Sequence, residues 1–261
     1  MKRITVALFS GILMLNSVRA EEQAVVEAAP VDAVSVEELN QTVEPPHAAI
    51  PAGSEYIIIC GGPALREWEK NKRRPHDNTW VNFITAGEIR WGQIKKVARP
   101  GDVFTWLVYR PGYDRRSKAD GEDHVRSIEN RALSLGVTVK WFGPSDEVVE
   151  HINNGYPRDT VRIANLDYFG HSNRNCWMFD YSNGVDGCST SFLHNRDLPA
   201  LKKGSFIEQA RVKSWGCHSA ESFTQEWKRY TGTVMIGTVG KTDYSTGGLP
   251  VVTRARGWSV Q

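Results

Sequence analysis

The sequence predicts an α/β fold, a mostly parallel sheet with helices on both faces. Three observations carry this expectation. Short strand-like apolar runs alternate with amphipathic stretches through most of residues 54–240. The runs lie far enough apart for helical crossovers, where hairpins would need only tight turns. The first run, Tyr56 to Cys60, is apolar at every position, as a strand covered on both faces has to be.

Taken in order, Tyr56-Ile57-Ile58-Ile59-Cys60 reads as a buried strand that ends in the turn Gly61-Gly62-Pro63. A polar helix is predicted over 64–71, irregular chain over 72–82 and a second helix over 86–97. The run VFTWLVY over 103–109 is a strand closed by Pro111-Gly112. Residues 123–135 form a helix with Val125, Ile128, Ala132 and Leu135 on one face, stopped by Gly136. A strand follows over 137–142. Pro144-Ser145-Asp146 then opens a helix that buries Val148, Val149 and Ile152. Strands are predicted over 161–169, 210–215 and 234–237, with a helix over 219–230 between the last two. No internal repeat is present.

The chain has 261 residues, 40% hydrophobic and 24% charged, with mean hydropathy −0.41, which excludes disordered, collagenous and coiled-coil classes. Four cysteines are too few for a disulfide scaffold. The net charge of +2 averages three unlike segments. Residues 1–20 carry Lys2 and Arg3, an apolar run from Ile4 to Leu15 and the small-residue site Val18-Arg19-Ala20, the pattern of a secretory signal peptide cleaved after Ala20. Residues 21–53 hold seven acidic residues and no Lys or Arg, and read as an acidic flexible linker or a pro-segment. Taking the three positive charges of the first segment and the seven negative ones of the second from 32 and 30 leaves 29 and 23, so the domain over 54–261 has a net +6. No Lys/Arg run interleaved with aromatics points to nucleic acid. The expected protein is secreted or periplasmic, with no membrane attachment after signal cleavage.

In a parallel sheet ligands bind beyond the carboxyl ends of the strands. Two strand ends carry reactive side chains here. The run VRIANLDYF enters Gly170-His171-Ser172, and the run ARVKSW enters Gly216-Cys217-His218. A glycine before each reactive residue leaves room for a substrate backbone. A cysteine nucleophile needs help to reach its thiolate, and Cys217 before a predicted helix would sit at the positive end of the helix dipole. His171 would protonate the leaving group, and the backbone N–H of Cys217 would hold a developing oxyanion. Taken singly, such a cysteine packs as a small hydrophobe or half a disulfide, and such a histidine occupies a turn. Both at successive strand ends of one sheet point to chemistry.

These strings, NLDYFGHS and VKSWGCHS, with their reactive residues 46 positions apart, resemble the caspase-like cysteine peptidases, a clan that includes legumain, clostripain and gingipain. A spacing of about fifty also occurs in caspases. The resemblance covers roughly residues 102–240 and implies a caspase-like three-layer sandwich. It implies a Cys217 nucleophile and a His171 general acid/base working as a dyad, with the backbone N–H of Gly170 or Ser172 and that of Cys217 as oxyanion donors and Gly216 beside the substrate backbone. Ser172 stands where the family has glycine, His218 follows the cysteine in place of the caspase arginine, and residues 63–100 have no counterpart. Asp167, Asp186 and Asp243 are candidates to receive a basic substrate side chain.

Cys176 and Cys188 are 12 residues apart in a polar loop, which suggests a local disulfide in an exported protein. Cys60 is left over, and a Cys60–Cys217 bridge would abolish the nucleophile. The segment Gly237-Thr238-Val239-Gly240-Lys241-Thr242 lacks the first glycine of a phosphate-binding loop, since Met235 occupies that position, and reads as a loop beside the cleft. Trp106, Trp141 and Trp215 read as core, while Trp177 and Trp258 read as loop residues able to stack on a ligand. The histidines show no metal-ligand spacing, and no cofactor is implied. The leading expectation is an exported cysteine hydrolase, an endopeptidase acting on peptide or protein through a thioester acyl-enzyme. The alternatives are an inactive caspase-like binding module and a cell-wall recognition protein.

Overall fold

A computed structural model describes residues 53–64, 79–181, 190–253 and 257–260. The predicted signal peptide, nearly all of the acidic linker, the helix expected over 64–71 beyond Ala64, and Asp186 and Cys188 lie outside them.

Strand β1 (Glu55–Cys60) is buried at all six positions and sits at the middle of the main sheet. Helix α1 (Asn82–Lys95) leads to β2 (Val103–Tyr109), which pairs with β1 in parallel. Helices α2 (Arg110–Asp120) and α3 (His124–Ser134) follow, then β3 (Thr138–Phe142) at the sheet edge. Helix α4 (Ser145–Asn154) returns the chain to β4 (Ile163–Phe169), which pairs with the opposite side of β1 and is again buried throughout. A three-stranded antiparallel sheet comes next, β5 (His171–Asn173), β6 (Cys176–Met178) and β7 (Phe192–His194). Strand β8 (Phe206–Ser214) joins β4, helix α5 (Phe223–Thr231) crosses over, and β9 (Met235–Thr238) joins β8. The short pair β10 (Thr242–Asp243) and β11 (Val251–Val252) precedes β12 (Trp258–Val260), which caps the sheet antiparallel to β9.

Among the described residues the main sheet therefore has seven strands in the order β12-β9-β8-β4-β1-β2-β3, parallel except at β12. The chain builds outward from β1 on one side through β2 and β3. It then returns to the other side of β1 with β4. The crossovers diverge between β1 and β4, and a crevice at the carboxyl ends follows from that topology.

Strand alternation sends successive side chains to opposite faces. Asp167 of β4 meets Arg90 of α1, whereas its neighbour Tyr168 stacks on Trp177, which packs in turn on Trp227 of α5. Cys60 of β1 lies against α1, and Glu55, five residues earlier, reaches His151 of α4. Helices α1 and α3 contact each other and cover one face, while α4 and α5 serve the other, which makes three layers. No helix among the described residues is long and apolar enough to cross a membrane.

Several boundaries differ from expectation. Helix α1 starts four residues earlier than predicted. Helix α2 stands where Pro111-Gly112 suggested only a turn. The helix expected from Ser219 begins at Phe223, after a 3-10 turn over Ser219–Glu221 and a break at Ser222. Trp177 lies in β6, fully buried, and Trp258 lies in β12 with 6% exposure, so neither is a loop residue open to a ligand. Trp258 packs edge-on against Trp215, and the Lys213 ammonium lies over both rings. Trp141 is only partly buried at the sheet edge.

Candidate active site

Parallel pairing sets the relation between the two reactive residues. Tyr168 of β4 is in register with Ser214 of β8. His171 and Cys217 each follow three residues later, at the carboxyl edge of adjacent strands and beside the divergence at β1. The ladder continues past the strand ends, with Trp215 N–H donating to the Tyr168 carbonyl at 2.9 Å.

The two turns then interlock. The Tyr168 hydroxyl donates to the His171 carbonyl at 2.6 Å and shares the Met178 carbonyl at 3.2 Å, which pins the His171 turn to the antiparallel sheet. Burial pushes the Tyr168 phenol well up, so it remains a donor. The Ser172 hydroxyl donates to the Cys217 carbonyl at 2.6 Å. Ser172 is buried, so its hydroxyl acts as a tie between the turns. The His171 ring is half-buried, with the Phe83 ring edge-on at 5.2 Å between centroids and Tyr181 at 4.5 Å. Phe83 comes from the first turn of α1, so the stretch over 63–100, without a counterpart in the resemblance, supplies a wall of the site. Phe83 also meets Tyr244, whose hydroxyl donates to the Trp215 carbonyl at 3.0 Å.

Around Cys217 the chain is tightly constrained. His218 has φ +58°, and among the described residues it alone combines a side chain beyond glycine with positive φ. Its N–H donates to the Gly240 carbonyl at 2.6 Å, and its Nδ1 is 2.5 Å from Glu221 Oε1. The same carboxylate accepts the Gly240 N–H at 3.3 Å, and Arg174 of the β5–β6 turn reaches it at 3.4 Å. Burial would raise the Glu221 carboxyl, but His218, the Gly240 N–H and Arg174 together hold the group below the usual carboxylate range. The Ser219 hydroxyl donates to the Gly216 carbonyl at 3.3 Å and accepts Thr238 N–H at 3.2 Å. Glu221 and Ser219 thus bind the cysteine turn to the loop after β9. Among the described residues nothing accepts the backbone N–H of Gly216 or of Cys217.

Cys217 does not sit at a helix N-terminus, contrary to expectation. A three-residue 3-10 turn and a break separate it from α5, and the dipole falls off within the first turn. Thr242 meets the sulfur instead, with its N–H at 3.4 Å and its Oγ1 at 3.5 Å. Thr242, the His218–Glu221 pair, Phe83, Tyr181 and Tyr244 were not marked by sequence reasoning. The loop containing Thr242 was recognised only as lying beside the cleft.

Cys60 and Cys217 are both free thiols, and the bridge that would have silenced Cys217 is absent. Cys60 is fully buried. Its Sγ donates to the Phe83 carbonyl and accepts the Trp106 indole N–H at 3.2 Å, and burial pushes its thiol up to about 12. Cys176 is also a free thiol, raised to about 11 mainly by burial. Its expected partner Cys188 lies outside the described residues. Asp167 cannot receive a substrate's basic group, since it has no exposed surface and already pairs with Arg90 at 2.8 Å and Arg211 at 3.3 Å. Asp243 is partly exposed in β10, with Ser245 N–H at 2.7 Å from its carboxylate. Among the described residues no three His, Cys, Asp or Glu side chains converge as a metal set.

On the same carboxyl edge, at the ends of β2 and β3, lies a groove of about 940 Å³ whose lining includes Tyr109, Pro111, Pro144, Val149 and Phe192. No protein-family model, curated protein or solved structure matches the chain.

Proposed function

We propose that the protein is an exported cysteine hydrolase, an endopeptidase of caspase-like type acting through Cys217 and His171. One observation carries the reading. His171 and Cys217 leave adjacent parallel strands at the same offset from a paired register position, and Ser172 ties their turns together. The free state of Cys217 favours this reading over the inactive binding module.

In the reaction His171 takes the Cys217 thiol proton as Sγ attacks the scissile carbonyl and forms a C–S bond, and the N–H groups of Gly216 and Cys217 receive the developing oxyanion. His171 gives a proton to the departing amine as the C–N bond breaks, leaving a thioester on Cys217. Water then attacks the thioester with His171 taking its proton, the C–S bond breaks to release the acid product, and His171 returns the proton to the sulfur to restore the thiol. No metal or cofactor enters this scheme.

The test is hydrolysis of a mixed peptide library by protein lacking residues 1–20. Activity should fall at least about 10³-fold in both Cys217→Ala and His171→Ala, the scale of losing a unit of a catalytic set. Unchanged hydrolysis in Cys217→Ala would sink the proposal.

A further inference from the structure

We propose that Thr242 stabilises the thiolate of Cys217, taking the role that a helix N-terminus plays elsewhere. The inference rests on the reading of Cys217 as nucleophile, and concerns how that sulfur is activated.

Thr242 offers three groups to one sulfur atom. Its backbone N–H donates to Sγ at 3.4 Å, its hydroxyl lies 3.5 Å away and can act either way, and its carbonyl is 3.9 Å away. The carbonyl can accept only from the thiol, and it is the most distant of the three. Once the proton leaves the thiol, the N–H and the O–H both point donors at the negative sulfur. Donors to the charged form favour that form, and hydrogen bonds to charged groups are stronger than neutral ones. Thr242 is buried, so water competes little for its hydroxyl.

The position of Thr242 is itself built in. Pairing of β10 with β11 sets Thr242 opposite Val252. Two residues earlier, Gly240 is gripped from both sides, its carbonyl by His218 N–H and its N–H by Glu221. The turn that carries the sulfur therefore also fixes the loop that carries the donors. The other titratable or charged groups nearby are His171 at the adjacent strand end, the Tyr168 phenol, His218 and Glu221, which are paired with each other, Arg174, which reaches Glu221, and Lys241 and Asp243, the chain neighbours of Thr242.

The experiment is the rate of iodoacetamide alkylation of the full chain, read by mass spectrometry on the peptide that contains Cys217. Cys60 and Cys176, with thiols raised to about 12 and about 11, contribute little at neutral pH. Thr242→Val, nearly isosteric, removes the hydroxyl and keeps the N–H. Alkylation at pH 7 should slow about tenfold, equivalent to roughly 1.4 kcal/mol. Thr242→Ser should restore the rate to within about twofold of the parent. Recovery of the rate in Thr242→Ser, which returns the hydroxyl, separates loss of the donor from altered access. Equal rates for parent and Thr242→Val at pH 7, or no rescue by Thr242→Ser, would overturn the inference. Absence of peptide hydrolysis with these alkylation differences intact would refute the peptidase reading and leave the Thr242 inference standing.

Discussion

At Gly216 the cysteine turn passes so close to the His171 turn that a Cβ would lie 2.2 Å from Ser172 Oγ and 2.9 Å from the Gly170 carbonyl. Gly216→Ala must therefore push the turns apart and break the Ser172–Cys217 hydrogen bond. We expect a loss of about 1–3 kcal/mol, the usual cost of overpacking, seen as a lower urea midpoint. Cys217 alkylation should change with it. His218 carries the opposite kind of constraint, a left-handed backbone that costs a non-glycine residue about 1 kcal/mol. Its bonds to Gly240 and Glu221 hold it there. At this scale the sequence marked the candidates His171 and Cys217, because each follows a glycine at the end of an apolar run. It did not mark Thr242, which is 25 residues beyond Cys217 and carries no pattern of its own. Only the pairing of β8 with β9 and the fold of the loop after β9 bring it to the sulfur.

Among the elements, helix α3 was legible because its apolar spacing and its cap agree. Val125, Ile128 and Ala132 are buried on one face, and the Asp123 carboxylate accepts the Arg126 N–H at 2.9 Å. Asp123→Ala should cost about 1 kcal/mol, measurable as a fall in the urea midpoint, with no change in Cys217 alkylation. Helix α2 was not legible. Only Gly112 and Tyr113 of its eleven residues are buried, so no apolar period betrays it. Its support comes from Pro111 in the first turn, from ion pairs Arg110–Asp114 and Arg116–Asp120, and from Gly121 at φ +71° as the stop. The Pro-Gly pair that reads as a turn in sequence serves here as a helix start. Gly112 is required for another reason, since a Cβ there would lie 2.7 Å from Gly62 Cα at the carboxyl end of β1. Strand β6 was missed because three residues are too few for a periodic signal. Its Trp177 is buried by partners that sequence alone does not assemble, Tyr168, Phe223 and Trp227.

Across the whole molecule, buried carboxylates link stability to acid. Burial would raise Asp167, but the Arg90 and Arg211 charges override it and hold the carboxyl far below its ordinary range. Burial would likewise raise Glu55, but His151, Arg158 and Thr105 together override it and lower the carboxyl. An acid whose folded value is depressed stabilises the fold fully above its unfolded value, near 3.9 for Asp and 4.3 for Glu, and loses that contribution as pH falls through the folded value. These two groups should therefore leave the urea midpoint nearly level from pH 7 to about 5 and make it fall steeply below about pH 4. Asp167→Asn should lose about 3–5 kcal/mol at pH 7, because Arg90 and Arg211 would face an uncharged amide, and its midpoint should fall less steeply in acid. By itself the sequence determined the class of the fold, the approximate place of the long strands and helices, and the two glycine-preceded candidates His171 and Cys217, since periodicity and turn chemistry are local. The tertiary structure decided what depends on contacts between distant segments. It separated Cys60 from Cys217, buried Asp167, Trp177 and Trp258, and brought Phe83 to His171 and Thr242 to the sulfur. Those outcomes follow from strand register and side-chain packing across tens of residues, which local pattern does not encode.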